Sequence, residues 1–245
     1  MSLIIHPIRL GQAVADTSFA VFGMTPGTPI VLPCTAYLIL GGEEPVLVDA
    51  GFRDGPALAA ATGMQFDQPE DQSLEAGLSA HGLSCGDIGV VALTHLHADH
   101  TGHLGLLPNA RIVLQRSELQ YAAAPYFPTP FFDRVDISLL VGERFERITF
   151  LEGDGQIAPG VRGVLTGGHS PGHQLIEVDV DSGLAVITGD LAYLVDPAVT
   201  LQIPPGYVTN LEETMLGLAR IKRDADHVLP MHDAAVYDRY PDGIS

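Results

Sequence analysis

The chain has 245 residues, enough to bury one full core, and its 46% hydrophobic and 17% charged composition belongs to a compact globular protein rather than a disordered one. Twelve Lys and Arg against thirty Asp and Glu leave a formal charge of -18, which repels phosphate backbones and anionic lipid heads and excludes nucleic acid as a natural partner. No run approaches the roughly 18 apolar residues of a membrane span, and MSLIIHPIRL carries no basic run and no cleavage site, so a cytoplasmic protein of one domain, 1–245, without membrane contact is expected.

Short apolar runs bounded by Gly or Pro predict strands over residues 31–40 and 45–49. Gly51 to Gln72, with its Gly, Pro and Asp breakers, reads as a loop near the mouth of any site. Ser73 then caps a short helix through Leu74 and Leu78 that Gly82 ends. Residues 88–93 are continuously apolar, the pattern of a strand buried on both faces, and they run straight into Thr94-His95-Leu96-His97-Ala98-Asp99-His100. A strand at 111–114 follows, with Ser117 as the expected cap of a helix through Glu118, Leu119 and Tyr121. Between Tyr121 and Phe132 stand five of the sixteen Phe and Tyr residues and three prolines, so no regular helix fits there. That segment is expected to line an apolar pocket or to form a homodimer contact. Strands are predicted over 148–151, 161–166, 174–180 and 184–188. Asn210 and Glu213 form a capping box for a helix ending near Asp224, and a last strand at 227–230 runs into His232.

The chemistry concentrates at strand ends. Residues two apart on an extended backbone project to one side, so His95 and His97 can share a centre while Asp99 and His100 occupy the turn beyond. Imidazole and carboxylate donors suit zinc and similar divalent ions, and the lack of a neighbouring Cys favours an open hydrolytic site over a closed structural one. Cys34 and Cys85 are too few for a disulfide framework and read as buried thiols. His169, Asp190 and His232 each follow an apolar strand in the same way.

Together THLHADHTG, GGHSPGH, ITGD and MHD, with Val48-Asp49-Ala50-Gly51 before them, resemble in order and spacing the metal motifs of the metallo-beta-lactamase superfamily. The resemblance implies a four-layer αβ/βα sandwich, with helices outside two facing mixed sheets and a site where strand ends meet. It implies one ion held by His95, His97 and His169, a second held by Asp99, His100 and His232, Asp190 between them, and Asp49 supporting from behind. Two divalent ions follow, expected as zinc, with iron, manganese or cobalt as alternatives.

Tyr193, three residues after Asp190, is similar to a tyrosine that the N-acyl-homoserine lactonases direct at the substrate carbonyl, and His232-Asp233 resembles the same group. Ala98 departs from it, standing where many members carry an aromatic residue, and His103-Leu104-Gly105 replaces their usual Gly-Gly-Asn. The expected reaction is hydrolysis of a small-molecule lactone or ester by an activated water, with Tyr193 steadying the oxyanion and Asp99 delivering the leaving-group proton. The alternatives are a glyoxalase II-like thioesterase, a phosphotriesterase-like hydrolase and a mononuclear iron oxidase acting on persulfides. His103 and His173 are expected to support the site rather than act in it.

Overall fold

A computed structural model describes residues 2–245. Seven strands form the first sheet: β1 (Ile4–Asp16), β2 (Pro29–Leu40), β3 (Val46–Val48), β4 (Gln65–Asp67), β5 (Val90–Ala92), β6 (Arg111–Gln115) and β7 (Ile148–Leu151). Their order is β4-β1-β2-β3-β5-β6-β7, antiparallel from β4 to β3 and parallel from β3 to β7. The second sheet holds β8 (Gly155–Ala158), β9 (Val161–Leu165), β10 (Gln174–Val180), β11 (Gly183–Ile187) and β12 (His227–Leu229) in the order β12-β11-β10-β9-β8. The helices are α1 (Thr17–Ala20), α2 (Gly55–Thr62), α3 (Leu74–Ser79), α4 (Ala98–Thr101), α5 (Arg116–Ala123), α6 (Arg134–Val141), α7 (Leu211–Asp224) and α8 (Ala235–Arg239).

Side-chain alternation builds the layers. Val46, Val48, Val90 and Ala92 turn inward and meet Ile176, Val178, Ala185 and Ile187 of the second sheet, forming the central core. Leu47 and Val91, one residue out of phase, pack outward against Leu74 and Leu78 of α3 and Leu119 of α5. On the far side Val164, Leu175 and Val186 are covered by Leu218 and Ile221 of α7. Helix, sheet, sheet and helix are therefore stacked as expected, and strands buried on both faces read as unbroken apolar runs for this reason. Among the described residues no helix is long and apolar enough to cross a membrane.

Several local expectations need correction. The stretch read as a loop contains α2, because Asp54 caps Ala57 N at 2.9 Å, proline occupies the first turn, and Gly63 ends the helix at φ 77. Apparent breakers were thus a start signal. The N-terminal segment, for which no element was expected, forms the thirteen-residue β1, and α6 and β8 were likewise not anticipated. Ser117 does not cap α5; the helix begins at Arg116 without a side-chain cap, and Gln115 instead bonds Gly153 and Gln174. Only half of the capping box exists at α7. Asn210 Oδ1 accepts from Glu213 N, but the Glu213 carboxylate turns away to Gly168 N, 2.9 Å off.

Candidate metal centre and substrate pocket

Five loops, after β3, β5, β9, β11 and β12, converge at one edge of the sandwich. His95 and His97 lie on either side of Leu96, which points back into the core; His97 is extended, and α4 starts only at Ala98. The Asp49-Ala50-Gly51 turn is stitched to α4 by Ala50 N to His100 O (2.8 Å) and Gly102 N to Gly51 O (2.7 Å). This approach needs glycine, since a Cβ on Gly102 would stand 2.2 Å from Arg53 N. His169 is positioned from α7: Glu213 holds Gly168 N, and Thr209 N and Asn210 N both donate to Gly168 O. Gly168 itself sits at φ 82, in the left-handed region.

The structure brings all seven expected residues together. Donor atoms of His95, His97, His169 and Asp190 lie within 4.8 Å of one another, as do those of His100, Asp190 and His232. Asp190 stands between the groups, with Oδ2 3.5 Å from His169 Nε2 and 3.7 Å from His95 Nε2, and Oδ1 3.2 Å from His100 Nε2 and 3.0 Å from His232 Nε2. Asp99 joins the second group, its oxygens 3.7 Å from His100 Nε2 and 3.8 Å from His232 Nε2.

The outer hydrogen bonds fix which nitrogen faces inward. His100 Nδ1 donates to Asp49 Oδ2 (2.7 Å), His232 Nδ1 to Pro33 O (2.7 Å) and His169 Nδ1 to Tyr207 O (3.3 Å). Thr94 Oγ1 gives its proton to Asp49 Oδ2 (2.7 Å), so its lone pair accepts from His95 Nδ1 at 3.1 Å. In each ring, when neutral, the proton is held outside on Nδ1 and the Nε2 lone pair faces the centre. Nε2 of His95, His100 and His232 and Oδ1 of Asp190 are buried with no hydrogen-bond partner, although two of these contacts are within 3.2 Å. Nitrogen and oxygen lone pairs crowded in this way in a buried site are costly unless a proton or a metal ion lies between them. The donor set and these orphaned atoms fit divalent ions.

Electrostatics agree. Burial acts against the Asp190 carboxylate, but the surrounding His100, His232 and His95 outweigh it and hold its pKa well below the usual range. Burial and then the charges of Asp190 and Asp99 push the Tyr193 phenol well up, so it stays a donor. Burial lowers His95 and His97 well below the ordinary histidine value.

Beside the centre lies a narrow cleft, open to solvent and with a cavity volume of about 30 Å³, with His97, Asp99, Asp190, Tyr193 and His232 on one wall. Phe19, Leu32, Leu58, Met64, Phe66 and Phe131 form the other. One end of the aromatic segment thus lines the pocket as expected, Phe131 and Phe132 packing on His97. Its middle does not; Tyr126 and Phe127 are exposed. Leu58, Met64 and Phe66 bring the segment after Gly51 to the pocket mouth. Ala98 lines the same space.

His103 turns its Nδ1 to Ala50 O (2.7 Å), and His173 bonds Thr166 Oγ1 (2.9 Å) behind the cluster, so both support loops. Asp233 accepts from Val195 N (3.0 Å), securing the chain just past Tyr193. Sequence reasoning missed Glu118, a fully buried carboxylate that accepts from Leu96 N (3.1 Å), Ser170 Oγ (2.8 Å) and Gly172 N (2.9 Å), clamping two of the histidine loops together. It also missed Cys34: the thiol is buried as expected, but a sulfur does border the cluster, within 4.8 Å of donor atoms of Asp99 and His232.

Comparison with known proteins gives consistent matches. The metallo-beta-lactamase superfamily matches residues 29–236. An N-acyl homoserine lactonase of Bacillus cereus is 31% identical over 202 residues, 76% of this chain and 74% of that protein. The N-acyl homoserine lactonase AttM of Azorhizobium caulinodans is 31% identical over 177 residues, 67% of this chain and 65% of its own. Among solved structures, a Bacillus thuringiensis AiiA mutant with N-decanoyl-L-homoserine bound at its active site superposes with a TM-score of 0.85 at 25% identity, covering 100% of both chains.

Proposed function

The chain belongs to the metallo-beta-lactamase superfamily, in its N-acyl-homoserine-lactonase-like branch, and we propose that it is a dinuclear metal-dependent hydrolase that opens N-acyl homoserine lactones or closely related lactone esters. The observation that carries this reading is the convergence on Asp190 of buried imidazole nitrogens that have no hydrogen-bond partner, at the floor of a half-apolar pocket. His95, His97 and His169 would hold one ion, Asp99, His100 and His232 the other, with Asp190 shared. Zinc suits these nitrogen and oxygen donors. When bound, the ions supply Lewis acidity, lowering the pKa of water toward about 7 and polarising the ester carbonyl.

The chain's own groups do the rest. Tyr193, kept protonated by burial and by Asp190, donates its phenolic hydrogen to the oxygen on which charge develops. Asp99, on the pocket wall with part of its carboxylate open to solvent, carries a proton to the alkoxide that leaves as the ring opens. Phe19, Leu32 and Phe66 bury the acyl chain at about 0.8 kcal/mol per methylene, so longer chains bind tighter. The acidic chain suits a neutral substrate better than a polyanionic one.

The test is elemental analysis of the loaded protein followed by proton release on N-acyl homoserine lactones of increasing chain length, alongside thioesters and an aryl phosphotriester. Lactone turnover lost on chelation and restored by a divalent ion is expected. Turnover of thioesters or phosphotriesters without lactones, or about one iron per chain with persulfide oxidation, overturns the reading.

A further inference from the structure

We propose that Cys34 is a sulfur ligand of the second ion, completing the group formed by Asp99, His100, Asp190 and His232. The inference rests on the two-ion reading of the site and adds a donor drawn from β2, a strand to which that reading assigns no ligand. Donor atoms of Cys34, Asp99 and His232 all lie within 4.8 Å of one another. Cys34 is 1% exposed and His232 is 3% exposed, and His232 Nε2 has no partner. A thiol and an imidazole whose Nε2 has no hydrogen-bond partner therefore border the same spot.

The backbone holds the sulfur in place. Pro33 O accepts from His232 Nδ1 at 2.7 Å, and Thr35 N donates to Met231 O at 3.1 Å, so Cys34 lies between two bonds to the segment that carries His232. Thr35 turns its hydroxyl to Tyr237, 2.7 Å away, and strand alternation then directs Cys34 to the opposite side, toward Asp99. Its other neighbours, Phe52, Leu58 and Ala98, offer nothing polar to a thiol.

Coordination breaks the S–H bond, forms a metal–sulfur bond and releases the proton to solvent. Asp99, Asp190 and the thiolate would then set three negative charges against the four positive charges of two divalent ions. Thiolate is a soft donor, which biases this position toward zinc, cadmium or cobalt and away from magnesium or manganese.

The experiment is titration of the metal-free full-length protein with cobalt(II), following bound cobalt by elemental analysis and the near-ultraviolet sulfur-to-cobalt charge-transfer band by absorption. The band is expected to grow with the second equivalent rather than the first, to persist in Cys85→Ser and to vanish in Cys34→Val, which keeps its visible cobalt bands. Wild-type protein holding two cobalt ions without the band, or a band that survives in Cys34→Val, overturns the assignment while leaving the two-ion site intact. Failure to bind two ions overturns both. The wild-type titration is decisive even if the variant fails to fold.

Discussion

Thr94 gives Asp49 both its amide and its hydroxyl, at 2.8 and 2.7 Å, while its own oxygen faces His95 Nδ1 at 3.1 Å. Asp49 also accepts from His100 Nδ1 at 2.7 Å, so one buried carboxylate sets the tautomer of an imidazole in each half of the cluster. Asp49 sits at φ 59, a conformation that asparagine shares readily. Asp49→Asn therefore keeps the turn but presents an amide N–H where acceptors are needed, and it drives the His100 proton onto Nε2, into the centre. Metal affinity is expected to fall about 10–100-fold, read by competition with a chromophoric chelator. Unchanged affinity would show that Asp49 does not orient the ligands.

In the proposed reaction Tyr193 contributes a donor rather than a ligand. Its ring packs 5.0 Å from that of His232, so phenylalanine fills the same space without the hydroxyl. Tyr193→Phe is expected to lower kcat on the preferred lactone by about 10²–10³-fold, the cost of one oxyanion donor, with metal content and Tm unchanged. A loss confined to KM would assign Tyr193 to ground-state binding instead.

Much of this site was legible because its chemistry is written at strand ends. His95, His97, Asp190 and His232 each follow a run whose apolar continuity records burial on both faces, and such runs survive reading without coordinates. What escaped was long-range. The partners of Glu118 lie 22, 52 and 54 residues away, and nothing near it in the chain distinguishes it from a solvated helix residue. Cys34 meets His232 only because β2 runs beside the segment after β12. The α2 helix was missed for a local reason: Asp54-Gly55-Pro56 is both a breaker triplet and an N-cap followed by a first-turn proline, and only the Ala-rich run after it separates the two.

Glu118 leads to a stability prediction. Burial raises its pKa, but hydrogen bonds from Ser170, Leu96 and Gly172 oppose that shift and stabilise the ionised form. Glu118→Ala strands two buried amides and a hydroxyl, at about 1–3 kcal/mol for each group left unsatisfied. A net loss of roughly 2–4 kcal/mol in urea unfolding is expected, together with weaker binding of the ion between His95, His97 and His169. Glu118→Gln, which keeps the volume and one acceptor, should recover part of both. If Glu118→Ala unfolds at the wild-type urea midpoint, the clamp has no energetic role.

The two halves of the cluster should differ in how many protons they give up on loading. In the metal-free protein, burial lowers His100 and His232, but Asp190 and Asp99 more than offset it, so both pKa values rise above the ordinary 6.5. Stability from such groups is fully present below 6.5 and is lost as pH rises through the folded values, so at about pH 7 both tend to keep a proton. Burial leaves His95, His97 and His169 with lowered values and neutral rings at that pH. An ion entering among these three displaces no ring proton, whereas an ion entering beside His100 and His232 displaces up to one from each. Calorimetric titration in buffers of different ionisation enthalpy is expected to show greater proton release with the second equivalent, and acidification below 6.5 should empty the His100 and His232 half first. Equal release from both equivalents would contradict the assignment of Asp190 and Asp99 as the charges that govern the second half.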